Sequence, residues 1–287
     1  MGQPGNGQLA TGQPDTGQLV AGPLSTSQPA RWVRTLTLLW KLEQAGTLYS
    51  VRGHGASVRL YSNGVFHSQW NPERPFAGGI WDCLGLPVLY RRRQATRRIL
   101  VLGVGGGAVI RQLEMLVPFE SLTALEIDPV HVDVARRWFG VNDERVSLFE
   151  ADAIAWVQHY TGEPFDLVID DLFGHASGQP VRARALTPEW VALLRGITTR
   201  DGLTVVNCVE SDELSTAAWA FLDGGYRHAR RWSLPGYDNA IGVFSGDDLV
   251  PRDWSRRLDA SGLATPMQRQ ARAIVRRPLR TERRLAG

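Results

Sequence analysis

Acidic residues and glycines stand where four successive apolar runs of the chain end. After the first run, at 99–102, come Gly103, Gly105 and Gly107, followed by a stretch of helical spacing. A glycine-rich turn of this kind lets a ligand approach the backbone and the amino end of the next helix. The spacing by itself also fits a dinucleotide site, so the glycines alone do not select the ligand.

Carboxylates follow the other three runs. Glu126 and Asp128 follow the second, Asp152 the third, and Asp170 and Asp171 the fourth. In a parallel sheet these positions meet at one edge, where the acid after the second strand can accept both hydroxyls of a ribose. Each acid alone is explained as well by a helix N-cap or a solvated loop. Together they favour a cationic adenosyl ligand, since a nicotinamide site needs no acids after strands three and four.

Strands and helices that alternate over residues 99–244 must position these groups. The predicted strands are 99–102, 122–125, 146–149, 165–169 and 203–206, with helices at 108–116, 130–139, 153–160 and 188–195 and a closing antiparallel pair at 227–232 and 241–244. Nearly all-apolar strands that alternate with helices predict a mostly parallel sheet covered on both faces.

The flanking segments differ in character from this α/β region. Residues 1–30 repeat Gly, Gln and Pro and are predicted to be a disordered leader. Residues 46–76 are predicted to form a small β domain, because Asn63 and Gly64 between apolar runs mark a hairpin. We place the ligand-binding domain at 95–250 and an Arg-rich tail at 251–287.

Charge and composition exclude several classes of protein. Ten arginines against three acids give the tail a net charge of +7, and the rest of the chain carries −4. A globally basic nucleic-acid binder is therefore not expected. Cys83 and Cys208 lie far apart with no metal-ligand spacing, which favours a reduced, cytoplasmic setting and no metal. No apolar run is long enough to span a membrane.

Four segments carry a more specific resemblance. They are 99–103, 125–128, 150–153 and 165–171, read as Ile-Leu-Val-Leu-Gly, Leu-Glu-Ile-Asp, Glu-Ala-Asp-Ala and Phe-Asp-Leu-Val-Ile-Asp-Asp. In their order they resemble the class I S-adenosylmethionine-dependent methyltransferase fold and, within it, the spermidine synthase (polyamine aminopropyltransferase) family. The resemblance covers roughly residues 46–246. It implies an α/β, Rossmann-like fold with a mostly parallel seven-stranded sheet and a small N-terminal β-hairpin domain.

The resemblance also implies roles for the residues at the sheet edge. The donor would be S-adenosylmethionine or its decarboxylated form, and the other substrate a small-molecule acceptor. The implied donor-binding residues are Gly103, Gly105, Gly107, Glu126, Asp128, Asp152 and Asp170, with Glu126 on the ribose and Asp152 on the adenine amino group. Asp171 falls on the family's catalytic aspartate, which orients and helps deprotonate the attacking amine. Members of the family commonly form dimers, so a homodimer is compatible with the resemblance.

The chain departs from the family where a polyamine would be recognised. Gly106 stands where the family's glycine loop has an aspartate, and Leu172, Phe173 and Gly174 replace the rest of an Asp-Ser-Ser-Asp signature after Asp171. The family's Tyr-His-Glu has no counterpart at 78–82. A polycation needs several carboxylates, so we expect methyl transfer. The alternatives are a true aminopropyltransferase and a non-catalytic adenosyl-binding module.

Six further residues are candidates for contact with the acceptor. They are His67, Trp81, Asp82, His175, Tyr237 and Asn239. Four of them have plainer interpretations: His175 as a loop histidine bonded to the backbone or water, Trp81 as an aromatic residue at a domain interface, and Tyr237 and Asn239 as turn residues.

Overall fold

The computed structural model describes residues 36–176 and 179–279, apart from the side chains of residues 175–180. The predicted leader at 1–30 and the last part of the predicted tail, 280–287, lie outside the described residues. Across the described ranges, no helix combines the length and hydropathy that a membrane crossing requires.

Four antiparallel strands form a small sheet at the start of the described chain. They are β1 (Thr37–Gln44), β2 (Thr47–His54), β3 (Ser57–Ser62) and β4 (Val65–Trp70), each paired with the next. Asn63 and Gly64 make the turn between β3 and β4 with φ of 49° and 80°, as the Asn-Gly pair predicts. Strand β1 lies before residue 46, where the predicted β domain begins. Its Leu38 and Leu39 are both exposed, so β1 lacks the alternation of a half-buried strand.

A second, eight-stranded sheet forms the body of the molecule. Its strands are β5 (Arg98–Leu102), β6 (Ser121–Glu126), β7 (Val146–Glu150), β8 (Phe165–Asp170), β11 (Thr198–Cys208), β12 (His228–Ser233), β13 (Ala240–Ser245) and β14 (Val275–Pro278), in the order β14-β12-β13-β11-β8-β5-β6-β7. Strands β7, β6, β5, β8 and β11 are mutually parallel, and the others are antiparallel additions. The expected Rossmann-like α/β fold is confirmed, with an eighth strand supplied by β14.

Helices and one hairpin connect these strands. The helices are α1 (Asp82–Gly85), α2 (Ala108–Leu116), α3 (Pro129–Arg137), α4 (Ala153–His159), α5 (Pro188–Gly196), α6 (Ser211–Asp223), α7 (Pro251–Asp259) and α8 (Thr265–Ala273), with 3-10 turns at Leu86–Tyr90 and Arg93–Ala95. The hairpin pairs β9 (Phe173–Ala176) with β10 (Gln179–Arg182) directly after β8. The predicted tail is thus folded as far as residue 279. Its Trp254 is fully buried and donates its indole N–H to the Leu86 carbonyl at 3.0 Å.

Alternating strand residues feed two apolar cores on opposite faces of the sheet. Val101 and Ile169 belong to the core under α2 and α3, whereas Leu100 and Val168 belong to the core under α4, α5 and α6. This alternation continues past the strand ends. It sends Asp170 and Asp171 to different faces, which decides what each can do.

Candidate active site

The loop between β5 and α2 packs against two neighbouring segments and has room only for glycine. Gly103, Gly105 and Gly107 have φ of 81°, 54° and 84°, in the left-handed region that favours glycine. A Cβ on Gly103 would lie 2.3 Å from the carbonyl oxygen of Asp171, and one on Gly105 would lie 3.3 Å from the carbonyl oxygen of His67. The loop therefore lies between the end of β8 and strand β4 of the small sheet.

Glu126 holds the glycine loop by its carboxylate. One of its oxygens accepts the N–H groups of Val104 and Gly105, each at 2.9 Å, and the other accepts the N–H of Asp128 at 3.0 Å. The side chain is 7% exposed. The intervening Ile127 is 68% exposed and offers an apolar surface at the same edge of the sheet. The ribose contact expected of Glu126 stays a prediction, and its visible function is to shape the loop.

Asp128 and Asp152 both cap helices at this edge. Asp128 accepts the N–H of Val130 at 2.8 Å and begins α3, and Asp152 accepts the N–H of Ile154 at 2.8 Å and begins α4. Asp128 also accepts the hydroxyl of Tyr49 at 2.8 Å, which ties the small sheet to α3. The N-cap interpretation of these acids is thus observed. Their contacts with a bound donor stay predictions.

Asp170 is fully buried on the face away from the glycine loop. Both of its oxygens accept the guanidinium of Arg182, at 2.8 and 2.9 Å, and one accepts the indole N–H of Trp190 at 2.8 Å. The Arg182 side chain is 3% exposed, so this is a buried ion pair that anchors the β9–β10 hairpin. Binding of the sulfonium donor by Asp170 stays a prediction. The carboxylate already accepts three hydrogen bonds from Arg182 and Trp190.

Asp171 lies beside the glycine loop with its side chain only partly buried. Its backbone N–H donates to the Leu102 carbonyl at 2.8 Å, and its Oδ1 accepts the Asn207 amide at 2.7 Å. Burial raises the pKa of Asp171 to about 7, although the Asn207 bond and the Arg182 charge act in the opposite direction. A carboxyl group with this pKa can hold or release a proton near neutrality.

The β3–β4 hairpin brings His67 of β4 against His131 of α3, next to the glycine loop. The rings of His67 and His131 lie 4.8 Å apart, and Nε2 of His131 is 2.8 Å from the Ser62 hydroxyl. Nδ1 of the same ring lies 3.9 Å from Glu126 Oε1. His67 is thus placed next to the glycine loop through its carbonyl and next to His131 through its ring. Its contact with an acceptor stays a prediction.

Asp82 points into the protein rather than toward the sheet edge. It is 2% exposed and accepts the N–H of Gly78 at 2.8 Å and the amide of Gln112 at 2.7 Å. Burial raises its pKa to about 7. Trp81 packs edge-to-face on Phe66 with ring centroids 5.0 Å apart. These contacts fit the domain-interface interpretation, and acceptor binding by Trp81 or Asp82 stays a prediction.

The turn between β12 and β13 reaches the sheet edge beside Asp171 through Asn239. The Asn239 amide donates to the Asn207 side-chain oxygen at 3.0 Å. Tyr237 lies near the segment between β4 and α1, since a Cβ on Gly79 would be 4.0 Å from its hydroxyl. His175 lies on β9, but its side chain is outside the described part of the chain.

The structure therefore brings some of the predicted residues together and adds others. Asp171, Asn239, Glu126, His67 and the three glycines surround one edge of the sheet. Sequence reasoning missed Asn207, Arg182 and His131. Asn207 carried a usable signal, because it is the polar residue that follows the apolar run at 203–206, where parallel strands present functional groups. Within the described residues, no cluster of three or more His, Cys, Asp or Glu side chains could hold a metal ion.

Comparisons with known proteins agree with this architecture. Residues 86–213 match the family model described as the spermine/spermidine synthase domain. A polyamine aminopropyltransferase of Agathobacter rectalis is 36% identical over 90 residues, which cover 29% of this chain and 31% of that protein. An eEF1A lysine and N-terminal methyltransferase homolog of Drosophila pseudoobscura pseudoobscura is 32% identical over 180 residues, which cover 60% of this chain and 27% of that protein. The chain thus spans about a third of the length of these curated relatives.

A solved structure extends the agreement to the fold. The crystal structure of a probable spermidine synthase from Corynebacterium glutamicum superposes with a TM-score of 0.64 at 20% identity, covering 84% of this chain and 90% of that one. The matched family segment runs from the 3-10 turn before β5 to the first turn of α6, and so includes the glycine loop, Glu126, Asp171 and Asn207. Residues 86–213 of this chain are thus similar to spermine/spermidine synthase domains, and the fold around them is similar as well.

Proposed function

We propose that the chain transfers a carbon group from an S-adenosylmethionine-type sulfonium donor to an amine acceptor, with Asp171 as the general base. The observation that carries this proposal is the position of Asp171: a partly buried carboxyl group of raised pKa, in contact with the glycine loop through its own backbone. The match of residues 86–213 to a family of such transferases supports it.

The residues at the sheet edge fit an adenosyl donor. Glu126 fixes the glycine loop, and the exposed Ile127 offers an apolar surface for a base. Asp152 is exposed at the next strand end, within the same row of acids. When bound, the donor supplies an electrophilic carbon. The amine nitrogen forms a bond to this carbon while the bond between the carbon and the sulfonium sulfur breaks. The electron pair of the broken bond stays on sulfur.

The task of Asp171 is to take the proton that the amine nitrogen loses as it forms the new bond. An ordinary aspartate with a pKa near 4 is a weak base for this step. Because burial raises the pKa of Asp171 to about 7, its carboxylate is a stronger base and is still largely ionised above neutrality. Asn207 occupies Oδ1, which leaves Oδ2 for the acceptor.

For the transferred group we propose aminopropyl, the alternative to the methyl transfer expected from the sequence. The curated relatives support this choice, because polyamine aminopropyltransferases from several organisms are prominent among them. Methyl transfer remains the second candidate on one observation. A Cβ on Gly106 would lie 2.5 Å from the ring of Phe139, so the loop as folded has no room for the family's aspartate.

Product analysis decides between these candidates. The purified chain would be incubated with S-adenosylmethionine or its decarboxylated form and a panel of mono-, di- and polyamines, and the nucleoside product identified by mass spectrometry. We expect methylthioadenosine from the decarboxylated donor. S-adenosylhomocysteine instead would establish methyl transfer. Calorimetric binding of either donor without any turnover would establish the non-catalytic module, and tight binding of NAD alone would contradict the whole proposal.

A further inference from the structure

We propose that Asn207 is a positioning residue that orients the Asp171 carboxyl group and selects the oxygen that takes the proton. This inference rests on the proposed role of Asp171 as base. Asn207 belongs to a group of polar side chains behind Asp171, which also includes Asn239 and Arg182. This group is separate from the glycine loop.

The strand register places Asn207 beside the catalytic aspartate. Strand β11 runs parallel to β8, and Val206 pairs with Asp170, so the next residues on the two strands are neighbours at the carboxyl edge. Asn207 is 5% exposed and its Nδ2 donates to Asp171 Oδ1 at 2.7 Å. A short bond from a buried side chain restricts the carboxyl group to one orientation.

The Asn207 amide is itself held in a single orientation. An ionised carboxylate only accepts hydrogen bonds, so the NH₂ group of Asn207 must face Asp171 and its oxygen must face away. That oxygen accepts Nδ2 of Asn239 at 3.0 Å, and Nδ2 of Asn239 also reaches the Cys208 carbonyl at 3.4 Å. A flipped Asn207 amide would set oxygen against oxygen at Asp171 and NH₂ against NH₂ at Asn239.

The backbone of Asn207 is fixed from the other face of the sheet. Its carbonyl oxygen accepts a guanidinium N–H of Arg182, the residue that forms the buried ion pair with Asp170. Arg182 therefore connects the β9–β10 hairpin to Asp170 on one face of the sheet. It also contacts the backbone of Asn207, whose side chain bonds to Asp171 on the other face. Arg182 thus acts on Asp171 only through Asn207 and the sheet.

Two consequences follow for the reaction. Within the described residues, Asp171 Oδ2 receives no hydrogen bond from the protein, so it is the oxygen that accepts the proton. The Asn207 bond also favours the ionised carboxylate and so opposes the effect of burial on the pKa. Without Asn207 the base would be protonated at neutral pH and free to rotate.

The test measures the pKa of Asp171 directly and does not depend on turnover. In protein labelled with ¹³C at the aspartate carboxyl carbons, Asp171 is assigned with Asp171→Asn and its NMR shift is followed from pH 4 to 9. We expect Asn207→Leu to raise the pKa by about 1 unit, the size of one hydrogen bond to a charged group. Asn239→Ala should raise the Asp171 pKa by less, because it removes only the hydrogen bond that holds the Asn207 amide in its orientation.

Matched variants separate this role from a general loss of structure. Asn142→Ala removes an exposed asparagine outside the site and should leave the pKa unchanged. Asn207→Ala also removes the amide donor, without adding a bulkier side chain, and serves if Asn207→Leu does not fold. If the wild type turns amines over, the acidic limb of its kcat profile should move with the pKa in Asn207→Leu, while KM for the amine changes less.

An unchanged Asp171 pKa in a folded Asn207→Leu or Asn207→Ala protein would overturn the proposal. A protein that shows the expected NMR shift but transfers no group would retain the positioning role and remove the proposed function instead. The two failures are therefore distinguishable.

Discussion

The chemical roles of Asp170 and Asp171 depend on the face of the sheet on which each carboxylate lies. Asp170 and Asp171 are adjacent, yet Asp170 accepts Arg182 and Trp190 in the interior while Asp171 borders the glycine loop. Asp170 forms a direct ion pair with the Arg182 guanidinium. Asp171 has one neutral donor, so its proton affinity rises into the range useful for a base.

Asp171→Asn should lower kcat by about 10²- to 10⁴-fold, the usual contribution of a positioned base. Affinity for the donor should change little, since the glycine loop and Glu126 are untouched. In the wild type kcat/KM should rise with pH up to about 7 and then level off, because only the ionised carboxylate accepts a proton. Steady-state kinetics from pH 5.5 to 9, with calorimetry of donor binding, checks both statements. Unchanged turnover in Asp171→Asn would show that Asp171 is not the base in the reaction.

The glycine loop supports a prediction about donor choice. Gly106→Asp places a side chain against the ring of Phe139, so it should lower stability by about 1–3 kcal/mol without new activity. In the double variant with Phe139→Ala, the ring is gone and the new carboxylate can face the donor. We then expect kcat/KM to shift at least tenfold toward the decarboxylated donor, which lacks a repelled carboxylate.

Product analysis of both variants with each donor, together with thermal melts, provides the measurement. Gly196→Ala is the control, since a Cβ there meets nothing within 4 Å. No change in donor preference in the double variant would mean that position 106 does not select the donor.

At the scale of elements, the β9–β10 hairpin depends on one buried ion pair. Arg182→Ala leaves Asp170 charged and 0% exposed with only Trp190 as side-chain donor, which should lower the free energy of unfolding by about 3–5 kcal/mol. Adding Asp170→Asn removes the stranded charge and should recover part of the loss. Urea denaturation of the two single variants and the double variant measures the coupling. Simple additivity of the two losses would show that the pair is not coupled.

The repeating pattern of the chain predicts these elements well where the local signal is strong. The apolar runs that become β5, β6, β7, β8 and β11 show no helical spacing that would compete with a strand. The parallel topology alone then predicts that the acids at the strand ends meet at one edge of the sheet. The β9–β10 hairpin has no such signal, because a buried arginine paired across the sheet with Asp170 is a tertiary contact. Asn207 lies between these cases: its position follows from the strand, but its bond to Asp171 depends on register.

For the whole molecule, the sequence predicts two units but not how they are joined. Polar pairs accompany the apolar core at the junction: Tyr49 bonds to Asp128 and Ser62 to His131, and next to them Asp82 of α1 bonds to Gln112 of α2. None of these pairs is local, and their members are 30 to 79 residues apart. The tail also resisted prediction, because its arginines mask the two apolar residues, Trp254 and Leu258, that dock α7.

Asp82 makes this junction sensitive to pH. Its carboxyl group serves both Gly78, in the segment after the small sheet, and Gln112 on α2. Its pKa is about 7 in the folded protein against 3.8 for a free aspartate, so the folded state binds its proton more tightly. The resulting stability is fully present below about pH 4 and is lost as the pH rises through 7. One such group changes the free energy of unfolding by at most about 1.4 kcal/mol per pH unit.

Asp82→Asn should therefore flatten the fall in stability between pH 4 and pH 7, while leaving the contribution that Asp171 makes in the same interval. Guanidinium denaturation at half-unit steps of pH measures the two slopes. Glu43→Gln, an exposed change on β1, is the control and should keep the wild-type slope. If Asp82→Asn and Glu43→Gln show the same slope as the wild type, Asp82 is ionised in the folded protein, and the hydrogen bonds from Gly78 and Gln112 rather than burial set its pKa. The junction would then be held by a charged carboxylate and would not loosen as the pH rises toward neutrality.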